Sequence, residues 1–325
     1  MNLEIAKNYI ESHCDFILAA HRSPDGDTLG SCLALRLAIL ALGKHAEVVC
    51  TDSVPPYLSF LPGSETVLNE LNRSYEAAIY IDCADHSRTA SLETQLEQCD
   101  FRFCIDHHGT NPKNSKDGDW VEEVGATGEM IFRLITALRI PSTKDLVTCL
   151  YTAIATDTGN FSYSNTTPDT FRIAASLLET GINLPELNRR LFREMPLRKG
   201  KLIGRTLNQM KLYDNDSVAI ALISRNMLDE CNAYEADCEG LIDYLRDLEP
   251  VEIACIIRES SDGTLRGSLR SKKGADVSKV ASAFGGGGHI RAAGFSLNCC
   301  LADAEKLVLS EIKKELKQWK ESLMS

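Results

Sequence analysis

Four short segments rich in aspartate and histidine lie in the first half of the sequence, and their side chains are suited to metal chemistry. They are His21–Asp27, Asp82–Asp85, Asp106–His108 and Ala155–Gly159. At least three of them follow an apolar stretch, where a buried strand or helix would end. Carboxylates and imidazoles that emerge together at such ends can bind hard divalent cations. Convergence of the four segments would build a two-metal hydrolytic site.

The first segment contains a histidine followed by two aspartates that flank a glycine. Because Gly26 separates Asp25 from Asp27 at a predicted strand-to-helix turn, the two carboxylates can point toward two neighbouring cations. Asp27 also suits the N-cap of the following helix, and capping alone would explain an isolated Asp-Gly-Asp. The preceding His21 and the three other segments favour the metal site.

The second and third segments supply further ligands and a proton donor. Asp82 directly follows a predicted strand, where one carboxylate can bridge two ions, and Arg88 is placed to meet an anionic substrate. In the third segment one imidazole can coordinate metal while Asp106 orients a ring through its other nitrogen. The second histidine of the pair His107 and His108 can then donate a proton or contact the substrate.

A sheet whose strands all end at one edge would position these groups. Short, almost wholly apolar stretches alternate with helical patterns through the first 160 residues, which is typical of a parallel sheet covered on both faces. Right-handed crossovers place the carboxyl ends of such strands together, and His21, Asp82 and Asp106 fall at those ends. Asp157 lies near the end of an apolar helix that begins at about residue 143. The predicted strands span residues 16–20, 46–50, 77–81 and 101–105, and the first long helix spans 27–42.

The length and the order of the elements predict two α/β domains. A chain of 325 residues exceeds the size at which one hydrophobic core usually stops growing. We predict an N-terminal domain with a parallel sheet flanked by helices over residues 1–182, followed by a helical connector over 183–210. A smaller α/β domain with a mixed sheet would occupy residues 211–325.

The composition argues against several other classes of protein. The net charge of −11 is unlike that of a protein with an extended surface for duplex nucleic acid. The longest nearly apolar run, residues 146–155, is too short to span a bilayer, and the N terminus does not resemble a secretory signal. The 12 cysteines are scattered without a C-x-x-C pair, which favours reduced thiols. These features predict a cytoplasmic protein.

The ordered set of segments resembles the four motifs of the DHH phosphoesterases. The run from Gly285 to Gly294, Gly-Gly-Gly-Gly-His-Ile-Arg-Ala-Ala-Gly, resembles the glycine-rich signature of the C-terminal domain associated with that family. Both signatures occur in the expected order and together cover essentially the whole chain, whose length resembles the short nano-RNase branch. His86 and the doubled Cys299 and Cys300 depart from the family pattern.

The resemblance implies a centre of two divalent ions, most often Mn²⁺ in this family, with Mg²⁺ also compatible with the ligand chemistry. His108 would face the scissile phosphate, and Asp106 would support the pair of histidines. The implied ligands are His21, Asp25 and Asp82 for one ion, and Asp27, Asp82, His107 and Asp157 for the other.

A second group of residues, near the C terminus, suits a phosphate of the substrate. Glycines before a histidine allow backbone amides to approach phosphate oxygens closely, although a flexible turn alone would also explain the run. Basic side chains nearby favour an anion-binding clamp, which would accept only short ligands. The predicted clamp comprises Arg270, Ser271, Lys272, Gly286, Gly287, Gly288 and His289.

The resemblance implies a metal-dependent phosphoesterase that hydrolyses short oligonucleotides to nucleoside 5′-monophosphates and 3′-phosphoadenosine 5′-phosphate to AMP. Linear dinucleotides from cyclic-dinucleotide turnover, polyphosphate and pyrophosphate are alternative substrates. A nucleotide-binding regulator without catalysis is an alternative of another class, which the complete ligand set disfavours. The expected partners are short single-stranded oligonucleotides and small nucleotide bisphosphates, without long duplexes or membranes, and the family suggests a homodimer.

Overall fold

The computed structural model describes residues 2–323, which fold into two compact units. The first unit ends at Glu194 and the second begins at Met195. The segment 183–210, predicted as a connector, contributes helices to both units. Within the described residues, no helix combines the length and the apolar character that crossing a bilayer requires.

A five-stranded parallel sheet forms the centre of the first unit. Its strands are β1 (Asp15–Ala19), β2 (His45–Val49), β3 (Ala77–Ile81), β4 (Phe101–Asp106) and β5 (Asp119–Val121). They are arranged in the order β2-β1-β3-β4-β5, with apolar residues opposite one another, such as Leu18 with Ile79 and Ile81 with Ile105. This sheet confirms the four predicted strands and their parallel arrangement.

Both faces of this sheet are buried because successive side chains of a strand point to opposite sides. Leu18 and Ile79 pack into the larger core with the long helices, whereas Ile17 and Tyr80 join a smaller cluster on the other face. The helices are α1 (Asn2–Ser12), α2 (Gly26–Ala41), α3 (Glu93–Leu96), α4 (Thr127–Ala137), α5 (Lys144–Asp157), α6 (Pro168–Leu178) and α7 (Leu184–Asn188), with 3₁₀ turns at Pro56–Leu58, Ser64–Thr66 and His86–Leu92 and a π turn at Arg189–Arg193.

Two glycines allow the helices α2, α4 and α5 to approach closely. A Cβ atom on Gly30 of α2 would lie 2.5 Å from a backbone carbonyl oxygen of α5, and one on Gly128 of α4 would lie 2.6 Å from the Cβ atom of Ala153. Because larger side chains would push these helices apart, the glycines keep the start of α2 near the start of α4 and the end of α5. Asp27 and Asp157 occupy two of those helix ends.

A mixed six-stranded sheet forms the second unit. Its strands are β6 (Lys211–Tyr213), β7 (Val218–Ile223), β8 (Ile253–Glu259), β9 (Leu265–Ser271), β10 (Gly287–His289) and β11 (Ala292–Leu297). The order is β10-β11-β9-β8-β7-β6, and only β7 and β8 are parallel among the pairs in this sheet of the described chain.

Helices pack over one face of this second sheet and over the β7 and β8 part of the other face, and the two faces have separate apolar cores. Together with the parallel sheet of the first unit, this arrangement confirms the predicted fold class. The helices are α8 (Leu197–Gln209), α9 (Arg225–Cys231), α10 (Leu241–Arg246), α11 (Val277–Ser282) and α12 (Leu301–Ser322), with a 3₁₀ turn at Glu235–Cys238.

Candidate metal centre and anion-binding face

The predicted metal ligands lie at the carboxyl edge of the parallel sheet. His21 lies two residues beyond β1, and Asp82 and His107 directly follow β3 and β4. The chain runs outward in opposite directions from β1 and β3, and the crevice at such a reversal is where open α/β sheets bind ligands. Asp25 is the N-cap of α2, and Asp157 is the last residue of α5.

His21, Asp25 and Asp82 form a first group, whose ligand atoms lie within 4.8 Å of one another. The hydroxyl oxygen of Thr28 lies between them, 2.6 Å from Nε2 of His21 and 2.7 Å from Oδ2 of Asp82. Nδ1 of His21 lies 2.7 Å from the carbonyl oxygen of Arg22. This contact makes Nδ1 the protonated nitrogen and leaves the lone pair of Nε2 directed at the group.

Asp27, His107 and Asp157 form a second group within the same 4.8 Å limit. Nε2 of His107 lies 3.5 Å from Oδ1 of Asp82, 3.6 Å from Oδ2 of Asp157 and 3.9 Å from Oδ2 of Asp27. Nδ1 of His107 lies 3.1 Å from the carbonyl oxygen of Val124. Asp82 therefore presents Oδ2 to the first group and Oδ1 to the second, as a bridging carboxylate would.

The buried carboxylates make this site suitable for cations. Burial, together with the charges of Asp82 and Asp157, raises the pKa of Asp27 well above its usual value. Burial also raises the pKa of Asp157, to about 6. For Asp82, burial acts in the same direction, but the hydrogen bond from Thr28 and the neighbouring imidazoles outweigh it and lower the pKa. A divalent cation would offset the charge that burial disfavours, and carboxylate oxygens with imidazole nitrogens suit Mn²⁺ or Mg²⁺.

Asp106 and His108 form a hydrogen-bonded pair beside these groups. Nδ1 of His108 donates to Oδ1 of Asp106 at 2.7 Å, and this bond raises the pKa of His108. Asp106 is fully buried, and its Oδ2 accepts a hydrogen bond of 2.7 Å from Nδ2 of Asn111. The side chain of His108 is 37% exposed, so its ring can meet a bound substrate. Asn111 follows the Asp-His-His triplet closely, but the sequence alone does not indicate its function.

The first residues of α4 hold two of the carboxylates in place. The backbone amides of Thr127 and Gly128 donate to Oδ2 and Oδ1 of Asp27, at 2.7 and 2.9 Å. The hydroxyl of Thr127 donates to Oδ1 of Asp82 at 3.0 Å. A helix N terminus offers such unpaired amides to an anion. Sequence reasoning did not identify these two residues, since their partners lie some 45 and 100 positions away.

Asn165 connects two ligands of the second group through the backbone. Its Nδ2 donates to the carbonyl oxygens of Gly125 and Asp157, at 2.9 and 3.1 Å. Gly125 follows Val124, whose carbonyl oxygen contacts His107. Asn165 therefore supports both the loop that orients His107 and the helix end that carries Asp157.

The loop after β3 carries backbone strain at a predicted ligand. Asp82 has a φ of 55°, in the left-handed region that residues other than glycine rarely adopt. Its amide nevertheless donates to the carbonyl oxygen of Ile105 at 2.9 Å, which continues the ladder with β4.

Farther along the loop, Arg88 is half-buried, and its backbone oxygen accepts a hydrogen bond of 2.8 Å from the amide of Arg22.

In the second unit, Arg270 and His289 lie on one face of the sheet. Arg270 pairs with Ala292, and Ala292 pairs with His289, so the three residues form one row across β9, β11 and β10. Side chains within such a row share a face. Arg270 and His289 therefore lie two strand spacings, about 9–10 Å, apart, with the methyl group of Ala292 between them. The next row on this face holds the small residues Ser268, Gly294 and Gly287.

Two other predicted clamp residues have different surroundings. Ser271 is buried, and its Oγ lies 3.5 Å from the carbonyl oxygen of Ile290. Nζ of Lys272 donates to the carbonyl oxygen of Leu248 at 2.5 Å, just beyond the end of α10. The structure thus brings Arg270 and His289 to one open face and directs Ser271 and Lys272 elsewhere.

The glycine run has a packing reason of its own. A Cβ atom on Gly286 would lie 2.2 Å from the carbonyl oxygen of Gly294, and one on Gly288 would lie 2.4 Å from that of Ala292. Both glycines are therefore required for β10 to pair closely with β11. A Cβ atom on Gly287 would meet nothing within 4 Å, so this glycine leaves the open face uncovered.

Two family models match the chain: the DHH family N-terminal domain over residues 15–154 and the DHHA1 domain over residues 215–321. The chain belongs to the DHH family. This membership confirms the predicted family and the predicted class of enzyme, a phosphoester hydrolase. The DHH protein is 34% identical over 303 residues to the bifunctional oligoribonuclease and PAP phosphatase NrnA of Thermus thermophilus, and the match covers 92% of this chain and 89% of the relative.

Further comparisons agree with this assignment. The Bacillus subtilis protein of the same name is 28% identical to this DHH protein over 304 residues, covering 90% of this chain and 94% of the relative. The crystal structure of an exopolyphosphatase-related protein from Bacteroides fragilis has a TM-score of 0.91 at 24% identity and covers 98% of this chain and 97% of its own. RecJ of Thermus thermophilus in complex with Mn²⁺ has a TM-score of 0.57 at 14% identity, covering 97% of this chain and 55% of RecJ. The two structures support the fold.

Proposed function

We propose that this DHH protein hydrolyses short oligonucleotides to nucleoside 5′-monophosphates and 3′-phosphoadenosine 5′-phosphate to AMP. The observation that carries the proposal is the pair of ligand groups that share Asp82, because both reactions need the same attack of water on a phosphoester. The NrnA relatives are named as oligoribonucleases and PAP phosphatases, and they align with most of this chain. Both facts support these substrates over pyrophosphate.

In the proposed centre, His21, Asp25 and Asp82 would hold one divalent ion. Asp27, His107 and Asp157 would hold the other, with Asp82 available to both, and Mn²⁺ is the expected metal. When bound, the two ions supply an activated water and offset the negative charge that develops on the phosphoryl oxygens.

The other residues of the site act on protons and charge. His108 donates a proton to the leaving oxygen, and its bond to Asp106 keeps the ring protonated and fixes its orientation. Asn111 holds Asp106 in turn. Arg88, which is half-buried, binds a nonbridging phosphate oxygen.

We propose that the open face of β9, β11 and β10 binds another phosphate of the substrate. Arg270 and His289 supply donors on either side of Ala292, and Gly287 adds no side chain beside them. Ser271, Gly286 and Gly288 would act through the backbone and the shape of this face. The proposal extends to a homodimer in the cytoplasm, which sedimentation and cell fractionation would test.

A product time course tests the proposed substrates. The protein with Mn²⁺ is incubated separately with a labelled pentaribonucleotide, 3′-phosphoadenosine 5′-phosphate and pyrophosphate. Nucleoside 5′-monophosphates and AMP are the expected products, and Asp157→Asn should abolish both. Asp169→Asn, at an exposed position of α6, is the matched control and should keep full activity. Rapid pyrophosphate cleavage with both nucleotide substrates inert would overturn the proposal, and ligand binding without turnover would favour a regulator.

Arg270→Ala tests the anion-binding face. Loss of a charge-assisted bond worth about 1.5–3 kcal/mol should raise KM about 10–150-fold with a smaller effect on kcat. Arg205→Ala, on an exposed part of α8, is the control for loss of one positive charge. Equal KM values for the two variants would contradict this function of Arg270.

A further inference from the structure

A third set of metal-binding side chains lies in the first unit, on residues that the proposed reaction does not use. It comprises His86, Cys104 and Asp119, whose ligand atoms lie within 4.8 Å of one another. His86 departs from the family pattern, and Cys104 and Asp119 belong to the strands β4 and β5. The proposed reaction therefore gives no reason for these three side chains to lie together.

Sheet register brings these three residues together. Cys104 pairs directly with Asp119 on one side and with Tyr80 on the other, so the three side chains share a face. The ring of His86 stacks on that of Tyr80, with 3.8 Å between centroids and 7° between planes. This stacking holds the imidazole over the row that contains the thiol and the carboxylate.

Burial and the carboxylates of Asp106 and Asp119 raise the pKa of Cys104, so its thiolate would form only when a cation offsets that negative charge. Burial lowers the pKa of His86, which favours the neutral imidazole that coordinates metal. Nε2 of His86 lies 3.1 Å from Oγ of Ser115, whose amide donates to the carboxylate of Asp119. Cys104 is fully buried, and Nδ2 of Asn111 lies 3.5 Å from its sulfur. His86 and Asp119 are half-exposed, so an ion can enter from their side.

We propose that His86, Cys104 and Asp119 bind one Zn²⁺ ion, separate from the two ions of the catalytic centre. Thiolate with imidazole and carboxylate is a donor set that favours zinc over manganese or magnesium. Tetrahedral zinc with ordinary bond lengths needs ligand atoms about 3.3–3.6 Å apart, so separations that now reach up to 4.8 Å would have to shorten on binding. The thiol releases its proton to solvent, and water or Ser115 takes the fourth position.

The ion would be a structural element close to the catalytic centre. It would fasten the turn that starts at His86, and hence the loop that follows Asp82, to the outer strands of the sheet. Asn111 contacts both the sulfur of Cys104 and the carboxylate of Asp106. The same side chain therefore lies against a ligand of the proposed zinc ion and against the Asp106–His108 pair. The inference does not depend on the substrate of the enzyme.

Cobalt is the probe that tests this site, because a thiolate bound to Co²⁺ gives a charge-transfer absorption. The ligand groups of the catalytic centre contain no cysteine, so they give no such band. The protein is first saturated with Mn²⁺, in a background where the exposed Cys14, Cys299 and Cys300 are replaced by serine. One equivalent of Co²⁺ should produce the band, and Zn²⁺ should displace it.

Substitutions identify the ligands. Cys104→Ser should abolish the band, whereas Cys255→Ser, at a buried position of β8, should leave it unchanged. His86→Gln should keep the band at saturating Co²⁺ but weaken binding by at least about tenfold, and circular dichroism verifies that each variant is folded. Absence of the band in the background protein, its persistence in Cys104→Ser, or unchanged affinity in His86→Gln would each overturn the proposal.

Discussion

Asn111 orients the Asp106–His108 pair, and its removal should reduce turnover. Its Nδ2 donates to Oδ2 of Asp106 at 2.7 Å, while the other carboxylate oxygen accepts from His108. Because Asp106 is fully buried, no solvent is available to replace the lost donor. In Asn111→Ala the carboxylate would therefore lose one of its fixed partners and could rotate away from the position that holds His108.

The magnitude follows from the kind of bond that is lost. A hydrogen bond to a buried charged acceptor contributes about 1.5–3 kcal/mol. If that free energy holds the orientation that the transition state requires, kcat should fall about 10–150-fold. KM should change by less than about threefold, because Asn111 itself is buried and has no direct access to substrate.

Steady-state kinetics with 3′-phosphoadenosine 5′-phosphate under saturating Mn²⁺ measures this effect. Asn114→Ala is the matched control, since Asn114 lies in the same loop but is exposed. Denaturant unfolding establishes that Asn111→Ala remains folded at the assay temperature. A normal kcat with a raised KM, or equal losses in both variants, would refute the orienting function of Asn111.

Three further predictions concern stability and are measured by denaturant unfolding. Nζ of Lys44 donates to the carbonyl oxygens that end α1, at 2.5–2.7 Å, so Lys44→Met should lower the free energy of unfolding by about 1–2 kcal/mol. The hydrogen bond with Arg73 lowers the pKa of Asp15 in the folded protein. The ion pair therefore contributes its full stability above the ordinary aspartate pKa, and this contribution is lost as the pH falls through the lowered pKa of the folded state. Asp15→Asn should therefore lower the free energy of unfolding near neutral pH. Below about pH 4 the free energy of unfolding should fall less steeply in the variant than in the unsubstituted protein. Gly30→Ala should cost about 1–3 kcal/mol and impair activity, because α2 and α5 must separate.

Each of these variants has a control in the same chain. Lys306→Met removes an exposed lysine of α12 and should be neutral. Asp169→Asn removes the acid of an exposed ion pair and should leave the pH dependence unchanged. Gly200→Ala, in a helix where an added Cβ meets nothing within 4 Å, should be neutral or stabilising. A variant that behaves like its control would contradict the reasoning for that site.

The amino-acid sequence alone predicts the architecture and the chemical character of the first unit. Apolar strands that end in His21, Asp82 and Asp106 predict a parallel sheet with polar groups at one edge, because strand periodicity and crossover handedness are local properties. The segments that carry Asp25 and Asp157 were recognisable from residue type and order alone. Their assignment to individual ions stays a prediction.

The other residues that contact these groups are set by the packing of the folded chain. Thr127 meets Asp27 because α2 and α4 pack closely, and no sequence signal measures that approach. Lys272, predicted near a phosphate, instead reaches a carbonyl oxygen beyond α10. Cys104 and Asp119 pair because β4 and β5 have one particular register, and shifting it by one residue would turn the side chains to opposite faces. Long-range packing and register set these contacts, and they depend on the whole chain at once.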